Sequence, residues 1–185
     1  MLVSVTQGDR AAQGGAPAVA VDAVAGRDAL RAFVELPYRL YRESPAWIPP
    51  LRRDEYQRLS REHNPFFEHA TIALWTARRD GRVTGRIAAI DDDRHNTTHG
   101  ERVTWFGFLE AEDADTARAL LAVVERHAAG RGSTAIRGPA NPSLNDSVGL
   151  LVDAFEHEPY VMMPYNPPEY PDYLESAGYR KAKDL

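Results

Sequence analysis

The stretch "ATIALWTARRDGRVTGRIAAIDDD", residues 70–93, contains two runs rich in apolar side chains on either side of Asp80 and Gly81. Both central residues of a two-residue hairpin turn adopt positive φ, a conformation that Asp and Gly tolerate. The pattern therefore predicts two antiparallel strands joined by a tight turn. The next run, "RVTWFGFLEAE" at 102–112, predicts a third strand.

The segment after that strand, "DADTARALLAVVERHAAGRG" at 113–132, has the clearest helical pattern in the chain. Asp113 is a suitable N-cap, and Gly130 or Gly132 can end the helix. "STAIRG" at 133–138 then returns to the sheet as its fourth member. The apolar side chains of the helix share one face because they recur every three or four residues: Ala114, Ala117, Leu120, Leu121, Val124 and Ala128.

The part of the chain before the hairpin predicts one strand and two helices. "VAVDAV" at 19–24 alternates as a strand does. "RDALRAFVELPYRLYRE" at 27–43 has helical spacing, but Pro37 should break or kink this helix because proline lacks an N–H. A second, short helix is expected over residues 51–60.

The part after the fourth strand is less regular. "VGLLVDAF" at 148–155 fits either a short helix or a strand, and "PYVMMPYN" at 159–166 predicts a strand. "PPEYPDYLESAGYRKAKDL" at 167–185 predicts a helix that Gly178 ends, followed by a final strand that the chain cuts short.

The order of these elements indicates an α/β or α+β fold with three layers. The length of 185 residues suits one domain, which we expect to span 19–185. Residues 1–18 are expected to form a flexible N-terminal arm, because the segment 7–18, "QGDRAAQGGAPA", is small, polar and rich in glycine.

The composition excludes several classes of protein. There is no cysteine, so neither a disulfide scaffold nor a thiolate metal site is possible. The net charge of -5 offers no general attraction to nucleic acid or to an anionic membrane. No secretory signal and no apolar run of the ~20 residues that span a bilayer is found, and we expect a cytoplasmic protein. The sequence also lacks a P-loop, a dinucleotide fingerprint and a serine-nucleophile elbow.

Several longer segments resemble a group of bacterial proteins of the GNAT (Gcn5-related N-acetyltransferase) superfamily, most of them uncharacterised. The resemblance implies a central mixed, mostly antiparallel sheet flanked by helices. Members of this group are generally longer, so it also implies a C-terminal domain, or a homodimer, beside the last strand. The segments that carry the resemblance are "LPYRLYRESPAWIPPL" (36–51), "NPFFEHA" (64–70), "GRIAAI" (85–90), "GPANPSLNDSVGLL" (138–151) and "MMPYNPPEYPDYLESAGY" (162–179).

The resemblance implies an N-acyltransferase that takes acetyl-CoA or another acyl-CoA and acylates a small-molecule amine. In GNAT enzymes the two substrates meet where the fourth and fifth strands separate. Glu110, at the end of the fourth strand of that fold, would then be the general base. Tyr165 or Tyr173 would return a proton, although the position of the usual tyrosine in the family holds Leu174 here.

The loop "GPANPSLND" at 138–146 leaves the other strand of this gap. Its polar side chains could bind substrate, since binding residues favour loops on a rigid scaffold. The alternative is that they only form local turns with their own backbone. Asn166, in the nearby "PYNPP", is a further candidate, and the candidates within the loop are Asn141, Ser143, Asn145 and Asp146.

One segment departs from the family's pattern. GNAT enzymes bind the pyrophosphate of acyl-CoA on a glycine-rich loop at a helix N-terminus. The corresponding residues here, "LEAEDADTA" at 109–117, contain no glycine and four carboxylates: Glu110, Glu112, Asp113 and Asp115. Like charges repel a diphosphate, so the alternative to an enzyme is a GNAT-like module that binds a ligand or partner and has lost this loop.

The stretch "DDDRHNTTH" at 91–99 places His95 and His99 four residues apart. That spacing brings two imidazoles to one metal on a helix, but the segment has the composition of a solvated loop. We therefore predict no metal site.

Overall fold

A computed structural model describes residues 1–6 and 19–185. Within these residues the five helices are α1 (Gly26–Leu40), α2 (Arg52–Arg58), α3 (Asp93–His99), α4 (Ala114–Gly130) and α5 (Tyr170–Ser176), with a 3-10 turn at Pro65–Glu68. The strands are β1 (Leu2–Thr6), β2 (Ala20–Ala23), β3 (Ala70–Arg79), β4 (Arg82–Asp92), β5 (Val103–Ala111), β6 (Ala135–Gly138), β7 (Ala140–Asn141), β8 (Ser147–Val148) and β9 (Arg180–Lys183).

Seven of the strands form one sheet in the order β2-β3-β4-β5-β6-β1-β9. Its pairs are antiparallel except β5 and β6, which are parallel because α4 crosses between them. The predicted hairpin is confirmed, with φ of 51° at Asp80 and 78° at Gly81. The N-cap of α4 is also confirmed, since the Asp113 side chain accepts a hydrogen bond from the Thr116 N–H.

Two apolar cores lie on opposite faces of the sheet and produce the three predicted layers. Ile87 and Ala89 of β4 join α4 and α5 in one core. Ala88 and Ile90, one residue along, face the other way and join α1. This alternation is what a pleated strand with both faces covered requires.

Five sequence-based expectations need correction, and the N-terminal arm is the first. Leu2–Thr6 is a strand that pairs with β6 on one side and β9 on the other. Val3 is buried there, and its short alternating segment is stabilised by partners at least 129 residues away. The remainder of the predicted arm, 7–18, lies outside the described residues.

Pro37 neither breaks nor ends α1, which continues to Leu40. A proline at this position cannot donate to the carbonyl of Phe33, four residues earlier. That carbonyl instead accepts a hydrogen bond of 3.1 Å from Nη1 of Arg86 in β4. The buried arginine therefore compensates for the missing helical bond.

The other three corrections concern short segments. Residues 148–155, expected to form a short helix or a strand, have no regular secondary structure after β8 ends at Val148. Residues 93–99, predicted as a loop, form α3, which Asp92 caps through the N–H of His95 and which Gly100 ends with φ of 63°. Residues 159–166, predicted as a strand, have no regular secondary structure. Pro159 and Pro164 in that segment lack the backbone N–H donors that a strand ladder needs.

Strands β5 and β6 pair only from Val103 to Trp105 and then separate. Beyond that point β5 has a bulge at Phe108, whose φ is 52°, and the chain leaving β6 passes tightly against it. A Cβ added at Gly107 would lie 1.7 Å from the carbonyl oxygen of Ala140. Only glycine permits this approach, which fixes where the strands separate.

We predict that Gly107→Ala lowers the free energy of unfolding by about 1–3 kcal/mol, because backbone on both sides must move to admit the methyl group. Gly130→Ala is the matched control, since nothing lies within 4 Å of its added Cβ. Alanine there should raise stability by up to about 1 kcal/mol. Urea unfolding of both variants measures this, and equal midpoints would contradict the assigned close approach.

Candidate active site

A cleft of about 430 Å³ opens where the strands separate. Its walls come from the end of α1, from α2, from the end of β5 and from the irregular segment 159–166. The bulge at Phe108 turns the end of β5 toward this cleft, and the carboxylate of Glu110 lies at its base. The topology thus brings together residues that are far apart in the sequence.

Glu110 is 8% exposed and is held by groups from three other elements. The hydroxyl of Tyr41 donates a short hydrogen bond to its Oε2, and the hydroxyl of Tyr170 donates to the same atom at 3.1 Å. On the other oxygen, Oε1 lies 3.6 Å from Nη2 of Arg86. The carboxylate is therefore fixed in one orientation.

Burial raises the pKa of Glu110, and the positive charge of Arg86 and the two tyrosine hydroxyls only partly offset it. Burial and the charge of Glu110 also raise the pKa of Tyr41 and of Tyr170 well above 10, so both hydroxyls remain protonated donors. A fixed carboxylate with a raised pKa beside a cleft is suited to accept a proton.

Aromatic rings form one wall of the cleft. The ring of Tyr41 lies 5.4 Å from that of Trp47 and 5.1 Å from that of Tyr165. Outside these rings is an exposed apolar surface, here called the apolar rim: Ile48, Tyr160, Val161, Met162 and Met163. The cleft thus changes from a charged base through an aromatic wall to an apolar entrance.

No protein-family model matches the chain. Among solved structures it is similar to a tandem GNAT protein from the clavulanic acid biosynthesis pathway. The TM-score is 0.56 at 17% identity, over 87% of this chain and 43% of that one. The chain has the GNAT fold. The predicted three-layer architecture and its resemblance to GNAT proteins are therefore confirmed at the level of the fold.

Two curated bacterial proteins match most of the chain. Protein YghO of Escherichia coli is 35% identical over 157 residues, which are 84% of this chain and 40% of that protein. A bacterial ceramide synthase of Caulobacter vibrioides is 40% identical over 158 residues, which are 84% of this chain and 41% of that protein. The chain thus spans about two fifths of the length of these relatives.

Four of the predicted site residues line the cleft: Glu110, Asn141, Tyr165 and Asn166. The two asparagines already bond the backbone. Oδ1 of Asn141 accepts from the N–H of Phe108 at 2.6 Å, and Oδ1 of Asn166 accepts from the N–H of Leu151 at 2.8 Å. Asn141 therefore holds the bulge of β5 in place, and Asn166 holds its own part of the cleft wall against the backbone of Leu151.

The other four predicted residues lie elsewhere. Ser143 and Asn145 line a separate cavity of about 350 Å³ beside α3. Asp146 accepts a hydrogen bond of 2.6 Å from the Ser143 hydroxyl, and that hydroxyl accepts one of 3.2 Å from the N–H of Asn145, which is a local turn of the kind expected as the alternative. Tyr173 packs on the α4 side of the sheet, with its ring 5.8 Å from Tyr170. The predicted loop site is thus divided between two cavities.

Sequence reasoning missed Tyr41, Glu55, Arg86 and Tyr170. Arg86 left a signal, since it is the one charged residue inside the apolar run "GRIAAI" at 85–90. A charge in a strand buried on both faces must be paired, so a partner such as Glu110 could have been sought. The two tyrosines left no comparable signal.

The start of α4 is where GNAT enzymes hold the pyrophosphate of acyl-CoA. Here Oδ1 of Asp113 accepts from the N–H of Thr116 at 2.8 Å, while its Oδ2 pairs with Nη1 of Arg79 at 2.5 Å. Glu112 pairs with Arg39 at 3.2 Å and also with Arg82. The arginines neutralise the carboxylates, but the chain's own side chain occupies the anion position. These residues do not fit a pyrophosphate.

Within residues 1–6 and 19–185, no three His, Asp or Glu side chains are grouped to hold a metal ion. His95 and His99 lie on α3 with ring centroids 4.6 Å apart, and His95 also pairs with Glu101. In the same part of the chain, no helix combines the length and apolar character that crossing a membrane requires.

We predict that Asp113→Ala lowers the free energy of unfolding by about 1 kcal/mol, because the helix loses its cap. Asp113→Asn keeps a capping oxygen and loses only the charge beside Arg79. Burial alone would raise the pKa of Asp113, but the bonds from Arg79 and Thr116 outweigh it and lower that pKa.

The advantage of wild type over the Asn variant should therefore exist above the ordinary pKa of 3.8 and disappear as pH falls through the lowered value. Urea unfolding at pH values on both sides of 3.8 measures it. An Ala variant as stable as wild type would contradict the stabilising role assigned to this cap.

Proposed function

We propose that this chain forms the amine-binding side of an N-acyltransferase, with Glu110 as the general base. The observation that supports the proposal most is the carboxylate of Glu110, buried at the base of a cleft in a GNAT fold with its pKa raised. The GNAT fold alone supports an acyltransferase-like role only in outline, since one fold hosts many functions. The residues of the cleft carry the finer proposal.

The acceptor that we propose is a primary amine with a long apolar chain. A ceramide is the amide of a long-chain amino alcohol, and a protein named bacterial ceramide synthase is 40% identical over 158 residues. The apolar rim agrees with such a substrate, because Val161 is 93% exposed and Met162 57% exposed at the entrance of the cleft. Exposed apolar surface of this kind is typical of a site that covers an apolar ligand.

The chemistry required of Glu110 is one proton transfer. An amine enters as an ammonium ion and cannot attack an acyl carbon until it loses a proton. Transfer to Glu110 converts an ammonium and a carboxylate into a neutral amine and a neutral acid, which a buried site favours. Tyr41 and Tyr170 hold the carboxylate in position by hydrogen bonds to its Oε2.

Tyr165 is the proposed proton donor to the departing group. Its ring packs edge-on to that of Tyr41 within the cleft, whereas Tyr173 lies outside the cleft lining. In this scheme a C–N bond forms at the acyl carbon, and the bond to the leaving group breaks with its electron pair on that group. The phenol supplies the leaving group's proton, and the second proton that the nitrogen loses after attack restores the phenol. No role is assigned to a pyrophosphate, because the start of α4 does not fit one.

A second candidate is a GNAT-like module that binds the amine without acylating it. The observation in its favour is the same hydrogen bond from the Thr116 N–H to Asp113, which fills the usual anion position. The two candidates share the cleft and differ only in whether product forms.

We predict that the chain converts a long-chain amino alcohol to its amide when given a fatty acyl thioester that carries no pyrophosphate, detected by mass spectrometry. Glu110→Gln should lower kcat/KM by about 100-fold or more, because the general base is lost while the side-chain shape remains. Glu175→Gln, on the exposed face of α5, is the matched control and should leave kcat/KM unchanged.

Circular dichroism confirms that each variant is folded before its rate is compared. A Glu110→Gln variant with the wild-type rate would contradict the proposed base. Binding of the amine without any amide, with every acyl donor tried, would favour the second candidate.

A further inference from the structure

We propose that Glu55 forms a second polar subsite in the cleft, which binds a hydroxyl group of the acceptor next to its amine. The inference rests on the proposed function for the identity of the acceptor, and it names the feature of the head group that the cleft selects. It assigns a role to a side chain on α2 that the proton transfer at Glu110 does not use.

Glu55 is buried to an unusual degree for a carboxylate on a short surface helix. It is 4% exposed, although its neighbours Arg53 and Asp54 are exposed. Its side chain lines the same cleft as Glu110. The helix therefore buries a carboxylate that water would otherwise hydrate. A buried carboxylate needs hydrogen bonds and an opposite charge to compensate for the lost hydration.

That compensation is incomplete within the chain. Oε1 of Glu55 accepts no hydrogen bond from any residue that the structure describes. Nη1 of Arg58 lies 3.0 Å from it as an ion pair, but without the direction that a hydrogen bond requires. A buried acceptor without a bond costs free energy, so a ligand that donates to it gains what the folded chain lacks.

The neighbouring charge selects a neutral donor. Arg58 already supplies one positive charge to Glu55, so a second cation at this position would be repelled by the guanidinium. A hydroxyl group donates a hydrogen bond to a carboxylate without adding charge. The amine belongs at Glu110, where the proton transfer occurs, and Glu55 is left to bind a hydroxyl.

A purely structural pair makes a different prediction. Arg58 and Glu55 are three residues apart on one helix, and such pairs stabilise a helix by only a few tenths of a kcal/mol. If the pair were only structural, replacing Glu55 would change the stability of the protein but not its preference between ligands. A binding role makes it affect the preference between ligands that differ only in the hydroxyl groups.

The test measures binding of two soluble probes by calorimetry, without an acyl donor: 2-aminooctane-1,3-diol and octan-2-amine. Wild type should bind the diol about 10-fold or more tightly, as expected for a hydrogen bond to a charged acceptor. Glu55→Leu should bind octan-2-amine as wild type does and lose the preference. Glu55→Gln, which keeps an uncharged acceptor, should retain part of it.

Glu62→Gln, at an exposed position beyond α2, is the matched control and should keep the full preference. Equal affinity of wild type for both probes, no binding of either, or an undiminished preference in both Glu55 variants would overturn the inference. If Glu55→Leu fails to fold, the Gln variant alone decides. A preference without acylation would refute the proposed enzyme and leave the subsite supported.

Discussion

The buried side chain of Arg86 makes two contacts on which the rest of the structure depends, one with the backbone of α1 and one with Glu110 in the cleft. Through Nη1 it donates to the carbonyl of Phe33, which Pro37 leaves without a helical partner. Through Nη2 it faces Glu110 at 3.6 Å. Breaking a buried pair of this kind leaves an uncompensated charge, at a cost of about 3–5 kcal/mol. One side chain thus lets α1 continue through a proline and anchors the carboxylate.

The same arrangement accounts for the proposed chemistry. Arg86 and the two tyrosine hydroxyls hold the Glu110 carboxylate in place. Burial nevertheless raises the pKa of Glu110, so the carboxylate keeps its affinity for a proton. The start of α4 differs from the pyrophosphate-binding loop of the usual GNAT enzyme. Arg79 pairs with Asp113 and Arg82 pairs with Glu112, so arginines neutralise these two carboxylates near the helix start. What opposes a pyrophosphate here is occupancy of the helix start rather than net charge.

The features that the sequence predicts correctly are local. The turn at Asp80, the cap at Asp113 and the position of Glu110 at a strand end each depend on a few neighbouring residues. The network around Glu110 does not, because Tyr41 and Tyr170 lie 69 and 60 residues away in the sequence. The strand Leu2–Thr6 was not predicted for the same reason, because its partner strands are distant in the sequence. The sequence could not place Ser143 and Asn145, because adjacency in a loop does not show which of two cavities a side chain reaches.

The measurement that tests this account most directly is a carbon-13 NMR titration of the Glu110 carboxyl in the full chain, assigned with Glu110→Gln. Burial disfavours the ionised form, so the midpoint should lie above the ordinary value of 4.5. Folding would then be opposed by ionisation of this group, and that cost would grow as pH rises from 4.5 to the midpoint. A midpoint at or below 4.5 would show that Arg86 and the tyrosines dominate, and Glu110 would be a structural ion pair and not a base.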